Sequence, residues 1–197
     1  MLESPTRVGI FGGTFDPVHN GHVAVAQSFL KSKKIQELWI LLNPAPPHKI
    51  DEEFAPYAYR LKMLQEAFRE TAHAKVSDIE TRLPKPCYTD QTISYLTESH
   101  PNISFFLCLG EDSFHSFTEW HHWREIIDHC SLLVANRPGS TVHQSNKKLA
   151  AHADFVDHEP IEVSSSQVRE RIVRGESIDA LVPPAVLEVI KKNKLYQ

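Results

Sequence analysis

Near its amino end the chain carries Gly12-Gly13-Thr14-Phe15-Asp16-Pro17-Val18-His19-Asn20-Gly21-His22, residue types suited to holding a phosphate. Adjacent glycines let a backbone approach an anion closely and present its amide donors. Pro17 stiffens the turn, and Asn20 is placed to cap a helix beginning near Gly21. That spacing puts His22 in the first helical turn, where unpaired amides and the helix dipole favour an anion, with His19 just ahead of it. Gly21 removes a side chain where a nucleotide would lie close, and Thr14 and Phe15 are candidate contacts in the same turn. The run is neither GxGxxG nor GxxxxGK(S/T), because the glycines are adjacent and no lysine follows. Two surface histidines at a helix start and an HxxH zinc pair are the rival readings. Neither accounts for the double glycine and Phe-Asp-Pro upstream, and no Cys, His, Asp or Glu nearby has conventional ligand spacing.

A second run, Val163-Ser164-Ser165-Ser166-Gln167-Val168-Arg169, puts three hydroxyls at the start of a helix and an arginine one turn later. Hydroxyls and free amides there form an anion site, and the planar guanidinium fork suits phosphate oxygens. Taken alone it is also an ordinary serine cap followed by a surface arginine.

Such groups must be positioned by a frame, and the rest of the chain describes one. Apolar runs at Arg7–Phe11, Glu37–Leu42, Ile103–Leu109 and Ser131–Ala135 read as strands, the last three buried on both faces. Helical patterns at Gly21–Lys31, Tyr57–Glu70, Thr89–His100 and Trp123–His129 alternate with them. The alternation predicts an α/β, Rossmann-like parallel sheet with helices on both faces. Two further helices, Ser164–Arg174 and Pro184–Lys192, open with capping serine and a first-turn proline. The expected organisation is a single domain, 1–197, whose residues 164–197 form a small helical C-terminal part. Ligands of such sheets bind at the carboxyl ends of the strands, which puts the first run where a ligand is expected.

A net charge of −4 with no basic tract gives a nucleic-acid polymer no electrostatic support. No apolar run approaches a membrane-spanning length, so no membrane partner is expected. Three cysteines, Cys87, Cys108 and Cys130, are dispersed and form no CxxC; they read as reduced core thiols, and the protein as cytoplasmic.

With its HxGH at His19–His22 after the first strand, the sequence resembles the nucleotidylyltransferase superfamily. The resemblance implies that His19 and His22 contact the phosphates of ATP, and that the α-phosphate is attacked in line without a covalent enzyme intermediate. Mg²⁺ carried by ATP would share the charge neutralisation. The second run is similar to the superfamily's (I/V)SSTxxR element, with Ser166 in place of threonine, which implies that Ser164, Ser165 and Arg169 close over the triphosphate. The continuation to Tyr196 resembles one branch, the bacterial nicotinate-nucleotide adenylyltransferases.

Three internal segments resemble that branch as well. Asn43–Lys49 is similar to its PPHK loop, which implies that His48 and Lys49 meet the mononucleotide phosphate. Pro86-Cys87-Tyr88-Thr89 resembles its SYT, with Cys87 for serine, which implies that Thr89 lies beside the pyridine carboxylate. Trp120 matches the tryptophan that stacks on the nicotinate ring, with the amide of His121 toward the carboxylate. In Leu109-Gly110-Glu111-Asp112, Gly110 lets the ATP sugar approach, and Asp112 can accept from ribose hydroxyls or help to hold Mg²⁺. Arg137 is a further ATP candidate. His121 and His122 look like a metal pair, but adjacent residues on a helix diverge. The expected reaction joins ATP and nicotinate mononucleotide into deamido-NAD and pyrophosphate. The alternatives are a sibling transferase using nicotinamide mononucleotide, phosphopantetheine or glycerol phosphate, a catalytically silent nucleotide-binding module, and a structural zinc protein.

Overall fold

The computed structural model describes residues 5–44, 53–141 and 147–197. Six strands, β1 (Thr6–Gly13), β2 (Glu37–Leu42), β3 (Ala74–Ser77), β4 (Ile103–Gly110), β5 (Ser131–Asn136) and β6 (Ala153–Asp157), form one sheet in the order β3-β2-β1-β4-β5-β6. Every neighbouring pair is parallel. Parallel neighbours need crossover connections, and helices supply them: α1 (Asn20–Lys31), α2 (Tyr57–Phe68), α3 (Thr89–Ser99), α4 (Glu111–His115), α5 (Trp123–His129) and α6 (Lys147–Ala150). Two more, α7 (Ser165–Val173) and α8 (Pro184–Asn193), follow the last strand. The fold is α/β and Rossmann-like, as the alternating pattern predicts.

Side chains alternate along the strands and so divide the interior in two. Leu38, Ile40, Leu42, Leu133 and Ala135 face Phe29 of α1 and Met63, Leu64 and Phe68 of α2. Val8, Ile10, Leu107, Leu109, Leu132 and Val134 face Ile93, Leu96, Phe114 and Ile126 on the other side. Two covered faces confine polar residues of the central strands to their ends, which is why the strands read as nearly continuous apolar runs. Strands β3 and β6 escape that reading. Each pairs on one side only and keeps polar residues, Lys75 and Ser77 in one and Asp154 and Asp157 in the other. The C-terminal helices are part of the first core: Val168, Val186, Val189 and Ile190 join it, and α8 packs on α2.

From β1 the chain moves one way through β2 and β3, then returns to build β4, β5 and β6 on the other side. The crevice at that reversal lies beyond the carboxyl ends of β1 and β4, which are Gly13 and Gly110. A Cβ added at Gly12 or at Gly110 would meet nothing within 4 Å, so both glycines border open space.

Gly9, in the middle of β1, is glycine for the opposite reason. A Cβ there would stand 2.6 Å from Ile35 Cδ1, 2.8 Å from Cys108 Sγ and 2.9 Å from Leu38 Cδ1. Gly9→Ala is expected to cost about 1–3 kcal/mol through overpacking, measured as a lower urea midpoint with an unchanged slope. An unaltered midpoint would mean that this core yields more readily than its packing indicates.

Candidate active site

The turn after β1 is held by donors behind it. Gly13 O accepts from Asn43 N at 2.9 Å, and Thr14 O from Arg60 Nη1 at 2.8 Å. In a trans peptide the N–H points opposite to the C=O, so the amides of Thr14 and Phe15 are directed the other way. Phe15 takes a left-handed backbone, φ 46, unusual for a bulky residue and a feature of strained functional turns. Its ring is 2% exposed and packs edge-on to Phe11 and His22. Phe15 therefore has only its backbone to offer a nucleotide. At Gly13 a Cβ would strike that ring at 2.8 Å, so the second glycine makes room for Phe15.

His19, not Asn20, is the N-cap of α1. The Asn20 side chain is drawn away to Ala180 O (2.9 Å), and its N–H to Leu181 O (2.9 Å). His19 Nδ1 accepts from the N–H of His22 (3.4 Å), and His22 Nδ1 from the N–H of His19 (3.2 Å). A capping box normally uses a hydroxyl and a carboxylate; here two imidazoles close it. Because each Nδ1 accepts, each neutral ring carries its proton on Nε2, which leaves two N–H donors. The rings stack with centroids 3.6 Å apart. Gly21 fits beneath them, since a Cβ would come within 3.1 Å of His19 Nδ1 and of Val163 Cγ1. Burial lowers the His19 pKa from 6.5 to about 4. Burial, with the charge of His19 added, takes His22 well below its ordinary value.

The second motif docks on the first. Ser164 caps α7 by accepting from Gln167 N at 3.1 Å. Ser165 Oγ donates to Pro17 O (2.9 Å), and Arg169 Nη1 donates to Asp16 O (2.7 Å). Arg169 Nη2 donates to Ser166 Oγ at 3.3 Å. A buried node below the turn escaped sequence reading. Asp16 is 3% exposed, and its Oδ1 accepts from Tyr196 Oη (2.6 Å) and Ala55 N (3.2 Å). Arg60, 2% exposed, also donates to Ala55 O and Asn43 O. Burial draws the Arg60 pKa down while the Asp16 carboxylate opposes the shift, and burial followed by the bond to Asp16 pushes the Tyr196 phenol up. The available signal was an arginine one turn after Tyr57 on a helix whose next turn buries Met63 and Leu64.

From this turn a cleft of about 710 Å³ runs across the ends of β1 and β4. Gly12, Gly13, Thr14 and Gly110 line one part of it, and Tyr88, Thr89, Trp120 and His121 another. Thr89 opens α3 at its first position, and Tyr88 is the cap residue. The first N–H groups of any helix lack intrahelical acceptors, which suits an anion. Trp120 packs on Phe117, centroids 5.4 Å apart, and remains half-buried. Glu80, also lining the cleft, accepts from Thr92 Oγ1 at 2.9 Å, and burial raises its pKa. Asp112 is exposed in the first turn of α4. Arg137 is exposed just past β5, its N–H donating to Glu111 Oε2 at 3.2 Å. His48 and Lys49 lie outside the described residues. A second depression of about 720 Å³, lined by Arg7, Ser104 and Asp128, lies at the amino ends of β1, β4 and β5 and contains neither motif.

One expectation fails in an informative way. His121 and His122 do not diverge, because they precede α5 and are not on it. His122 caps that helix in a left-handed conformation, φ 46 and ψ 38, and the two rings stack 3.8 Å apart.

Comparison with known proteins shows the family and the fold. The cytidylyltransferase-like family model matches residues 10–171. A probable nicotinate-nucleotide adenylyltransferase of Shewanella pealeana is 35% identical, the match covering 97% of this chain and 96% of that protein. The nicotinate-nucleotide adenylyltransferase of Bacillus subtilis is 33% identical, over 97% and 98%. Among solved structures, the Plasmodium falciparum nicotinic acid mononucleotide adenylyltransferase complexed with NaAD superposes with a TM-score of 0.80 at 20% identity, covering 97% of each chain. That likeness is one of fold.

The histidine pair carries a pH signature. Between pH 6.5 and about 4 the unfolded chain binds protons that folded His19 and His22 refuse, so stability is complete above this window and falls as pH drops through it. For His19 the loss reaches about 3 kcal/mol when complete. Urea denaturation at pH 7.5 and 4.5 should show His19→Gln losing less stability across the interval than wild type. Equal losses would mean that His19 titrates normally.

Proposed function

Since the chain belongs to the cytidylyltransferase-like family, and within it to the nicotinate-nucleotide adenylyltransferases, we propose that it transfers AMP from ATP to nicotinate mononucleotide, yielding deamido-NAD and pyrophosphate for NAD biosynthesis. The observation that carries the reading is one cleft joining Gly12, Gly13 and Thr14, the turn that leads into the HxGH segment, to Thr89 and Trp120 across the sheet reversal. ATP lies with its triphosphate over the turn after β1, met by the amides of Thr14 and Phe15, the Nε2–H groups of His19 and His22, Ser164, Ser165 and Arg169. Its sugar lies by Gly110, Asp112 and Arg137. The nicotinate ring stacks on Trp120, and its carboxylate accepts from Thr89 and the amide of His121. His48 and Lys49 hold the mononucleotide phosphate.

An oxygen of that phosphate attacks the α-phosphorus in line as the bond to the β-phosphate breaks, and pyrophosphate leaves. The phosphate is already a nucleophile, so the chain must align the reactants and donate hydrogen bonds to charge developing on the oxygens. Mg²⁺ bound by the phosphates supplies further charge neutralisation. A hard cation takes oxygen donors, and Asp112, exposed at the start of α4, is a side chain of this end able to offer them. We place the reaction in the cytoplasm; three buried free thiols suit that reducing compartment.

A pyrophosphate-release assay with nicotinate mononucleotide, nicotinamide mononucleotide, phosphopantetheine and glycerol phosphate tests the assignment. Nicotinate mononucleotide is expected to be used best, because an amide would set an NH₂ against donors at roughly 1–3 kcal/mol per unpaired group. Equal or better efficiency with the amide overturns acid specificity, and turnover of phosphopantetheine or glycerol phosphate alone moves the chain to a sibling activity. In the same assay His22→Ala should lower turnover by on the order of 10²–10³ with the fold intact. A loss below about tenfold would remove His22 from the transition state.

A further inference from the structure

The turn between Trp120 and α5 holds a cluster that this reaction does not use. Asp90, in the first turn of α3, is buried. His121 Nδ1 lies 3.2 Å from each of its carboxylate oxygens, and His122 Nδ1 lies 3.4 Å from Oδ2. All three residues present ligand atoms within 4.8 Å of one another. The left-handed backbone of His122 is what turns the second imidazole back onto the first.

We propose that Asp90, His121 and His122 bind one divalent transition ion, Zn²⁺ fitting best, at a site separate from the Mg²⁺ that travels with ATP. The spacing supports it: ligand bonds of about 2.0–2.1 Å in a tetrahedron set donor atoms about 3.3 Å apart. The donor set supports it too. Two imidazole nitrogens and one carboxylate suit Zn²⁺, Co²⁺ or Ni²⁺, whereas Mg²⁺ requires an oxygen octahedron. Water completes the coordination, or Glu125, whose Oε1 is 3.5 Å from His122 Nδ1. The side chains of His121 and His122 are 41% and 54% exposed, so an ion enters without unfolding. The Tyr88 ring stacks on His121, centroids 4.2 Å apart. An ion here ties the start of α3, with Thr89, to the turn that carries Trp120. It fixes the distance between two walls of the cleft.

Metal-free protein without an affinity tag is titrated with Co²⁺. One equivalent should produce the intense visible bands of a tetrahedral ion, Zn²⁺ should abolish them, and excess Mg²⁺ should not. Asp90→Asn and His122→Gln should each weaken Co²⁺ binding at least about tenfold, with unchanged far-ultraviolet circular dichroism. If asparagine at 90 impairs folding, His122→Gln decides, since that side chain is largely exposed. No bands, or bands undiminished by His122→Gln, overturn the site and leave two imidazoles donating to Asp90. No nucleotide is involved, so failure here leaves the transferase reading standing.

Discussion

The carbonyl groups of Gly13, Thr14, Asp16 and Pro17 must find donors inside the protein, and the rest of the active site depends on that. Each is satisfied by a group distant in sequence: Asn43 after β2, Arg60 of α2, and Ser165 and Arg169 of α7. Buried backbone groups are costly to leave unpaired, so these donors decide which way the peptides lie. With the carbonyls turned inward, the amides of Thr14 and Phe15 turn outward toward the crevice. The arrangement places an arginine and an aspartate in the interior, each held by hydrogen bonds to the turn or to its surroundings. Asp16 Oδ2 is buried without a hydrogen-bond partner among the described residues, a sign that the turn is held in place against some cost.

At the proposed phosphate end two kinds of donor are present. The histidines are neutral in the free protein because burial resists a proton, yet their mutual cap fixes each Nε2–H. The Arg169 guanidinium is already oriented by its bonds to Asp16 O and Ser166 Oγ. Donors fixed before the substrate arrives need no reorganisation when charge shifts toward the leaving pyrophosphate. The capping box thus does two jobs: it starts α1 and it sets the tautomers.

Much of this was legible in the sequence because it was local. Central strands show as apolar runs, α8 by its proline, and the two phosphate motifs by glycines, serines and their spacing. What was hidden depends on partners far along the chain. Nothing near Asn20 indicates that Ala180 and Leu181 will take its polar groups and leave the cap to His19. Nothing near Arg60 or Tyr196 indicates that both meet under residues 14–16. The edge strands are short and polar because one flank has no neighbour. His121 and His122 read as helical neighbours until the left-handed backbone at 122 reverses the geometry.

The bonds from Ser165, Arg169 and Tyr196 back to the first turn span 148, 153 and 180 residues. Closing loops of that length is entropically expensive until the intervening sheet has condensed, and non-local contacts of this kind form slowly. The glycine-rich turn leaves the ribosome early, but it cannot take its working shape until helix α7 and the segment bearing Tyr196 have followed. A chain halted before those residues would own all six strands and the two histidines, but not the bonds that hold the turn between them. Competence to transfer a nucleotide is in that sense a checkpoint on the completeness of the fold, read at the site itself.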